Sequence, residues 1–205
     1  MIVTFINRIL FKIKNKTCTV KAGVIVHRNT RVGKNCYLSK NSSLSKNVIL
    51  GDNVRVGENC KLRNIKIGNN SMIESGVKVV GTGKEFIIIG KECYIGVNNI
   101  LDTSDSITIG DFVHIAGPST ALWCHTSVEM CMNSIPLDDV GRDKYRPTKP
   151  IIVENNVYIG GNSTIYPGVT ISNHSIVAPN SAVDKDIKSN TLVGGVPATK
   201  IKKLN

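Results

Sequence analysis

The sequence predicts an all-β solenoid wound from six-residue repeats, and three observations lead there. Branched aliphatics recur at every sixth position without a break from Val20 through Val26, Val32, Leu38, Leu44, Leu50, Val56 and Leu62. The residue after them is often glycine, as in Val32-Gly33, Leu50-Gly51 and Val56-Gly57. Aromatic residues make up only 5% of a chain that is 41% hydrophobic, so the core is built from small and β-branched side chains, which suits short repeated strands.

The period survives local slips. After Leu62 the phase shifts by one, and Ile67, Ile73 and Val79 carry it on. Ile89, Ile95 and Leu101 follow, then Ile109 and Ile115, and the longest late run is Val153, Ile159, Ile165, Ile171, Val177 and Val183. Four residues after each aliphatic stands a small or β-branched residue: Val24, Thr30, Cys36, Ser42, Val48, Val54 and Cys60 early, Val157, Ser163, Val169, Ser175 and Ser181 late. One large and one small inward position per hexad describe a short strand and a tight turn. Gly, Asn and Asp crowd the turn positions, as in Gly51-Asp52-Asn53 and Gly68-Asn69-Asn70, and these residues tolerate positive φ. Three hexads close a triangular coil, coils stack at about 4.8 Å, and roughly seven fit the chain. A β-sandwich is excluded, because its strands alternate with period two over longer runs.

A solenoid exposes core and strand edges at its ends, so both ends need covers. In residues 1–17, Ile2, Phe5, Ile6, Ile9 and Ile13 fall at helical spacing with Lys12, Lys14 and Lys16 among them. That pattern fits a short capping helix, or a basic amphipathic helix in peripheral contact with a membrane. It lacks the order of a signal peptide, and no apolar run is long enough to span a bilayer, so a cytoplasmic location is expected. The repeats occupy 18–190, and a second short cap, also expected as a short helix, occupies 191–205. Between Leu122 and Ile151 the period disappears: residues 123–150 are polar and contain three prolines. A long insertion in a tight solenoid costs ordering entropy and points to function.

The net charge of +11 calls for an anionic partner, but the basic residues are dispersed and lack interleaved aromatics, which argues against nucleic acid. None of the six cysteines forms a CxxC pair, so no metal site is expected. Cys18, Cys36, Cys60 and Cys93 sit in the small inward register and read as packing residues. His27 and His114 lie within repeats and His174 in a turn. His125 stands apart, at the start of the insertion after Trp123 and Cys124. It is the side chain best matched to proton transfer near neutral pH. A covalent route through Cys124 is disfavoured, since neighbours in a strand point to opposite sides.

The stretch Lys149–Leu204 resembles the C-terminal half of hexapeptide-repeat acetyltransferases, in particular the maltose, galactoside and colanic acid O-acetyltransferases. The resemblance rests on Tyr158-Ile159-Gly160-Gly161, Pro167-Gly168-Val169-Thr170-Ile171, Asp184-Lys185-Asp186-Ile187 and Gly195-Val196-Pro197-Ala198-Thr199. It implies a left-handed parallel β-helix, a homotrimer with sites between subunits, and acetyl-CoA as co-substrate. It makes His125 the catalytic base, although Thr126 follows where the family usually has proline. The acetyl-CoA contacts carry over to Gly161, Ala178, Pro179, Asp184, Lys185, Thr199 and Lys202, with backbone N–H groups near Gly160 and Gly161 for the oxyanion. Pro179, Asp184 and Thr199 depart from the usual residue types, and Pro179 has no N–H to give. Asn98 and Trp123 are the expected acceptor contacts. The implied reaction is acetyl transfer to a sugar hydroxyl, in surface-polysaccharide synthesis by analogy. The alternative is N-acetylation of an amino-sugar nucleotide. A carbonic anhydrase on the same scaffold would need three converging His, and an ice-binding face would need rows of Thr; neither pattern is present.

Overall fold

The computed structural model describes residues 17–81, 83 and 85–204. Strands of two to five residues follow one another from Thr19 to Lys203 and sort into three sheets. The first face starts at Thr19–Val20 and runs through Tyr94–Ile95, His114–Ile115, Tyr158–Ile159 and Ile176–Val177 to Thr191–Gly194. The second runs from Ile25–Val26 through Lys61–Leu62, Lys78–Val80, Ile100–Asp102, Ala121–Leu122 and Thr164–Ile165 to Ala182–Val183. The third runs from Arg31–Val32 to Thr170–Ile171 and holds seven strands, so seven coils have a strand on every face, as the repeat count predicts. The architecture is a left-handed parallel β-helix.

The register follows the hexads. Val20 pairs with Leu38, and Leu38 with Val56, at equivalent positions one coil apart. The phase slip after Leu62 falls at Asn64, a buried residue at φ 43°, and the sheets close around it. Inward aliphatics such as Leu38, Leu44, Leu62, Ile73, Ile95 and Leu101 are wholly buried and form one column down the axis. Each contributes about 1.5–3 kcal/mol relative to exposure.

The small inward residues do more than fill space. Cys36 Sγ reaches Gly51 O at 3.1 Å, Ser42 Oγ reaches Gly57 O at 3.0 Å, Ser71 Oγ reaches Gly90 O at 3.0 Å, and Cys93 Sγ reaches Gly110 O at 3.0 Å. Each donor satisfies a corner carbonyl of the next coil, which is why Cys and Ser interchange there. Burial pushes the Cys36 and Cys60 thiols up to about 11, so these are unreactive structural groups. The asparagines of the turns adopt positive φ and stack. Asn35 donates to Asn53 at 3.3 Å and Asn53 to Asn70 at 2.9 Å, so the same residue that closes the turn ties it to the turn above.

At the C-terminus the structure departs from expectation. The short terminal helix is replaced by a strand, Thr199–Lys203, which returns antiparallel along Thr191–Gly194 and covers the edge of the first face. The N-terminal segment read as a cap or membrane contact lies outside the described residues. Among the described residues, no helix is long and apolar enough to cross a membrane.

Candidate active site

Ala121–Leu122 on the second face and Ile151–Val153 on the third bound the insertion, which leaves the solenoid at the corner between these faces. It holds a one-turn helix at Val128–Met132, anchored by buried Met130, and a 3-10 turn at Arg142–Tyr145. Its two ends are zipped together. Lys149 N–H donates to Cys124 O at 2.9 Å, Thr126 N–H donates to Pro147 O at 3.3 Å, and His125 bridges antiparallel to Thr148. This clamp fixes His125 at the root of the loop.

Beneath it lies Asp102, the last residue of its strand, with no exposed surface. Its Oδ2 is 2.5 Å from His125 Nδ1 and also accepts the Cys124 N–H at 3.0 Å. Its Oδ1 accepts the Ser104 N–H at 2.9 Å and hydroxyl at 2.8 Å. Burial pushes the carboxyl up, but the hydrogen bonds from His125 and Ser104 outweigh it and hold Asp102 below the ordinary carboxylate range. On the other side of the imidazole, Arg146 Nη2 is 2.8 Å from Nε2. A guanidinium can only donate, so Nε2 is the acceptor and the proton sits on Nδ1, facing Asp102. The Trp123 ring meets His125 edge-on at 6.1 Å. The constellation is an imidazole whose tautomer is set by a buried carboxylate, with its lone pair turned away from the core.

A cleft of about 330 Å³ opens beside it, lined by Glu85, Ser104, Asp105, Asp143, Arg146, Pro147 and Thr148. Asp105 accepts the Thr148 hydroxyl at 3.0 Å and so helps hold the returning strand of the loop. Cys124 is fully buried, and burial together with the nearby Asp102 and Asp105 charges pushes its thiol up to about 12. Of the other histidines, His114 lies between Tyr94 and Tyr158 at ring distances of 4.3 and 5.5 Å, with its pKa lowered by burial. No group of three potential metal ligands occurs among the described residues.

The other expected residues fall elsewhere on the chain. Gly160 and Gly161 form the turn between the first and second faces, one corner away from His125. A Cβ on Gly160 would lie 2.4 Å from Pro179 N, so Gly160 and Pro179 stack coil on coil, with Ala178 just before Pro179. Asn98 occupies the same corner at φ 56°, exposed, and does not approach His125 within the chain. Asp184 and Lys185 are exposed at the His125 corner in a later coil. Thr199 and Lys202 are exposed on the returning terminal strand. Asp102, Ser104 and Arg146 were not legible as site residues in the sequence. One signal for Asp102 was available: it directly follows inward Leu101, at the phase where glycine is common.

Comparison with known proteins agrees with this architecture. The family "Bacterial transferase hexapeptide (six repeats)" matches residues 29–64 and 150–185, and "Hexapeptide repeat of succinyl-transferase" matches residues 86–117. Galactoside O-acetyltransferase of Escherichia coli (strain K12) is 31% identical over 140 residues, covering 68% of this chain and 64% of that protein. The putative lipopolysaccharide biosynthesis O-acetyl transferase WbbJ of the same organism is 26% identical, covering 71% and 76%. The chain spans between half and two thirds of the length of the galactoside enzyme and of two further relatives. Among solved structures, the N-acyltransferase AntD from Bacillus cereus, in complex with dTDP and coenzyme A, superposes with a TM-score of 0.58 at 19% identity, covering 97% of this chain and 89% of that one. The polySia specific acetyltransferase NeuO does so with a TM-score of 0.52 at 25% identity, covering 92% and 88%. With its repeats matched along half its length, the chain belongs to the hexapeptide-repeat transferases.

Proposed function

We propose that the protein is an acetyl-CoA-dependent O-acetyltransferase acting on a sugar hydroxyl, with His125 as general base. The observation that carries this reading is the Asp102–His125 pair, clamped at the root of the inserted loop with Nε2 free of the core. The names of the relatives, galactoside O-acetyltransferase and the putative O-acetyl transferase WbbJ, support acetyl transfer to an oxygen acceptor.

In the resting chain Arg146 occupies the Nε2 lone pair. The acceptor hydroxyl takes its place and gives its proton to Nε2, while Asp102 steadies the imidazolium that forms. The hydroxyl oxygen bonds to the thioester carbonyl carbon of acetyl-CoA. The tetrahedral intermediate then expels the thiolate, which takes the proton back from His125. The N–H groups near Gly160 and Gly161 serve the oxyanion. They lie one corner away from His125, a face about 6 residues or roughly 20 Å wide. The site is therefore completed by a neighbouring copy, and a homotrimer gives each base such a neighbour. The exposed Lys185 and Lys202 suit the coenzyme phosphates. Pro179 offers no N–H, so the pantetheine hangs on the neighbouring positions.

The test is incubation of the protein with acetyl-CoA and a panel of free sugars, sugar phosphates and amino-sugar nucleotides, read by mass spectrometry. A gain of one acetyl group that is labile to mild base marks an ester and supports the reading. A base-stable amide on the amino sugars alone overturns O-transfer in favour of N-transfer.

A further inference from the structure

Lys61 and Lys78 stand in register on adjacent strands of the second face, both exposed. Like charges directly opposite across a strand pair repel, so the arrangement is unfavourable unless an anion covers it. No carboxylate forms an ion pair with either among the described residues. Arg63 ends the same strip: its Nη2 donates to Gly81 O, while its buried Nε has no hydrogen-bond partner. Lys61 and Arg63 line an open groove of about 410 Å³ with Ser45, Leu62, Val79, Val80 and Gly81 and no acidic residue, and Lys78 adjoins it as the register partner of Lys61.

The groove leads to the catalytic corner. Lys78–Val80 pairs with Ile100–Asp102, so Val80 lies one coil from Asp102 and Lys78 two residues further along the same strand. A Cβ on Gly81, at the head of the groove, would lie 2.0 Å from Asp102 Oδ1. At about 4.8 Å per coil and 3.3 Å per residue along a strand, Lys78 lies roughly 8 Å and Lys61 roughly 12 Å along the face from Asp102, the residue beneath His125. That is the reach of one to two sugar units.

Resting on the acetyl-transfer reading above, we infer that Lys61, Arg63 and Lys78 form a subsite for an anionic group, phosphate or carboxylate, on the acceptor saccharide. The two lysines neutralise the charge, and Arg63 adds directional donors. Their role is to position the acceptor; the chemistry stays with His125.

Two measurements test this separately from transfer. The first is binding of inorganic pyrophosphate and of galacturonate to the full chain, followed by NMR at low salt. Wild type should bind at least one of them, and which one distinguishes a phosphate from a carboxylate source. The double variant K61Q/K78Q should weaken binding about tenfold, the effect of losing one or two charge-assisted contacts. K66Q, a charge change on the third face, should not alter it. The second measurement compares a neutral hexose with its phosphate and its uronic acid as acceptors. K61Q/K78Q should raise KM for the anionic forms about tenfold with kcat little changed, which a folding defect would not do selectively. Binding of neither anion to the wild type, or equal weakening by K66Q, overturns the inference. A His125→Ala protein that still binds the anions but transfers nothing supports both readings. Anion binding with no transfer by the wild type keeps the subsite and sinks the transfer reading.

Discussion

A carboxylate without exposed surface is costly unless hydrogen bonds replace its water, and Asp102 receives four: from the His125 ring, the Cys124 N–H, and the Ser104 N–H and hydroxyl. With Arg146 donating to Nε2, the contact of Asp102 with Nδ1 fixes the tautomer of His125. Asp102→Asn is expected to lower kcat by roughly 10²–10⁴-fold while leaving acetyl-CoA binding in place. The pH dependence has a definite sign. Because the folded carboxyl is held below its unfolded value near about 4, its ionised form stabilises the native state above that value. That stabilisation is lost as pH falls from about 4 through the lower folded value, so the melting temperatures of wild type and D102N should converge on acidification. Cys124→Ser should retain turnover within a few-fold, and intact-mass measurement should find no acetyl adduct on the wild-type thiol, because that thiol is buried and held protonated. His125 was legible because it opens the only long break in the period. Asp102 was not: it lies in a different coil, and only the stacking of coils brings the two together.

At the scale of elements, turns and corners carry the specificity of the fold. Hexads announce strands and turn residues announce corners, so both could be read from sequence. The Cys and Ser positions were readable as small and inward, but their hydrogen bonds to carbonyls one coil away needed the register. Corner glycines and loop glycines differ sharply in what they tolerate. At Gly68 a Cβ would sit 2.5 Å from the Gly90 carbonyl carbon, backbone against backbone. Gly68→Ala should destabilise by about 1–3 kcal/mol in thermal or denaturant unfolding. At Gly141, in the inserted loop at φ −89°, the nearest contact is the Asp139 carboxylate at 3.2 Å, and alanine there should cost no more than about 0.5 kcal/mol. The returning terminal strand was missed because its residues, Thr199-Lys200-Ile201-Lys202-Lys203, are all exposed and carry no inward period. Their strand character comes from the edge of Thr191–Gly194 that they cover.

At the scale of the whole molecule, one chain separates His125 from the Gly160–Gly161 corner by the width of a face. Under the proposed mechanism a functional site requires a second copy, and light scattering is then expected to find the protein as a trimer. Mixed assemblies of two inactive variants, His125→Ala and a variant crippled at the Gly160–Gly161 corner, should recover part of the activity, since some interfaces pair an intact base with an intact corner. The resemblance at Lys149–Leu204 pointed to such interfaces, whereas the acceptor is written in no motif. The central claim is that His125, oriented by Asp102, is the base of acyl transfer. The most direct test is the steady-state rate of thioester loss coupled to acceptor mass gain in His125→Asn, with acetyl-CoA affinity measured alongside. A fall in kcat of about 10²–10⁴-fold at unchanged acetyl-CoA affinity is the predicted result, and a kcat within a few-fold of wild type would contradict it.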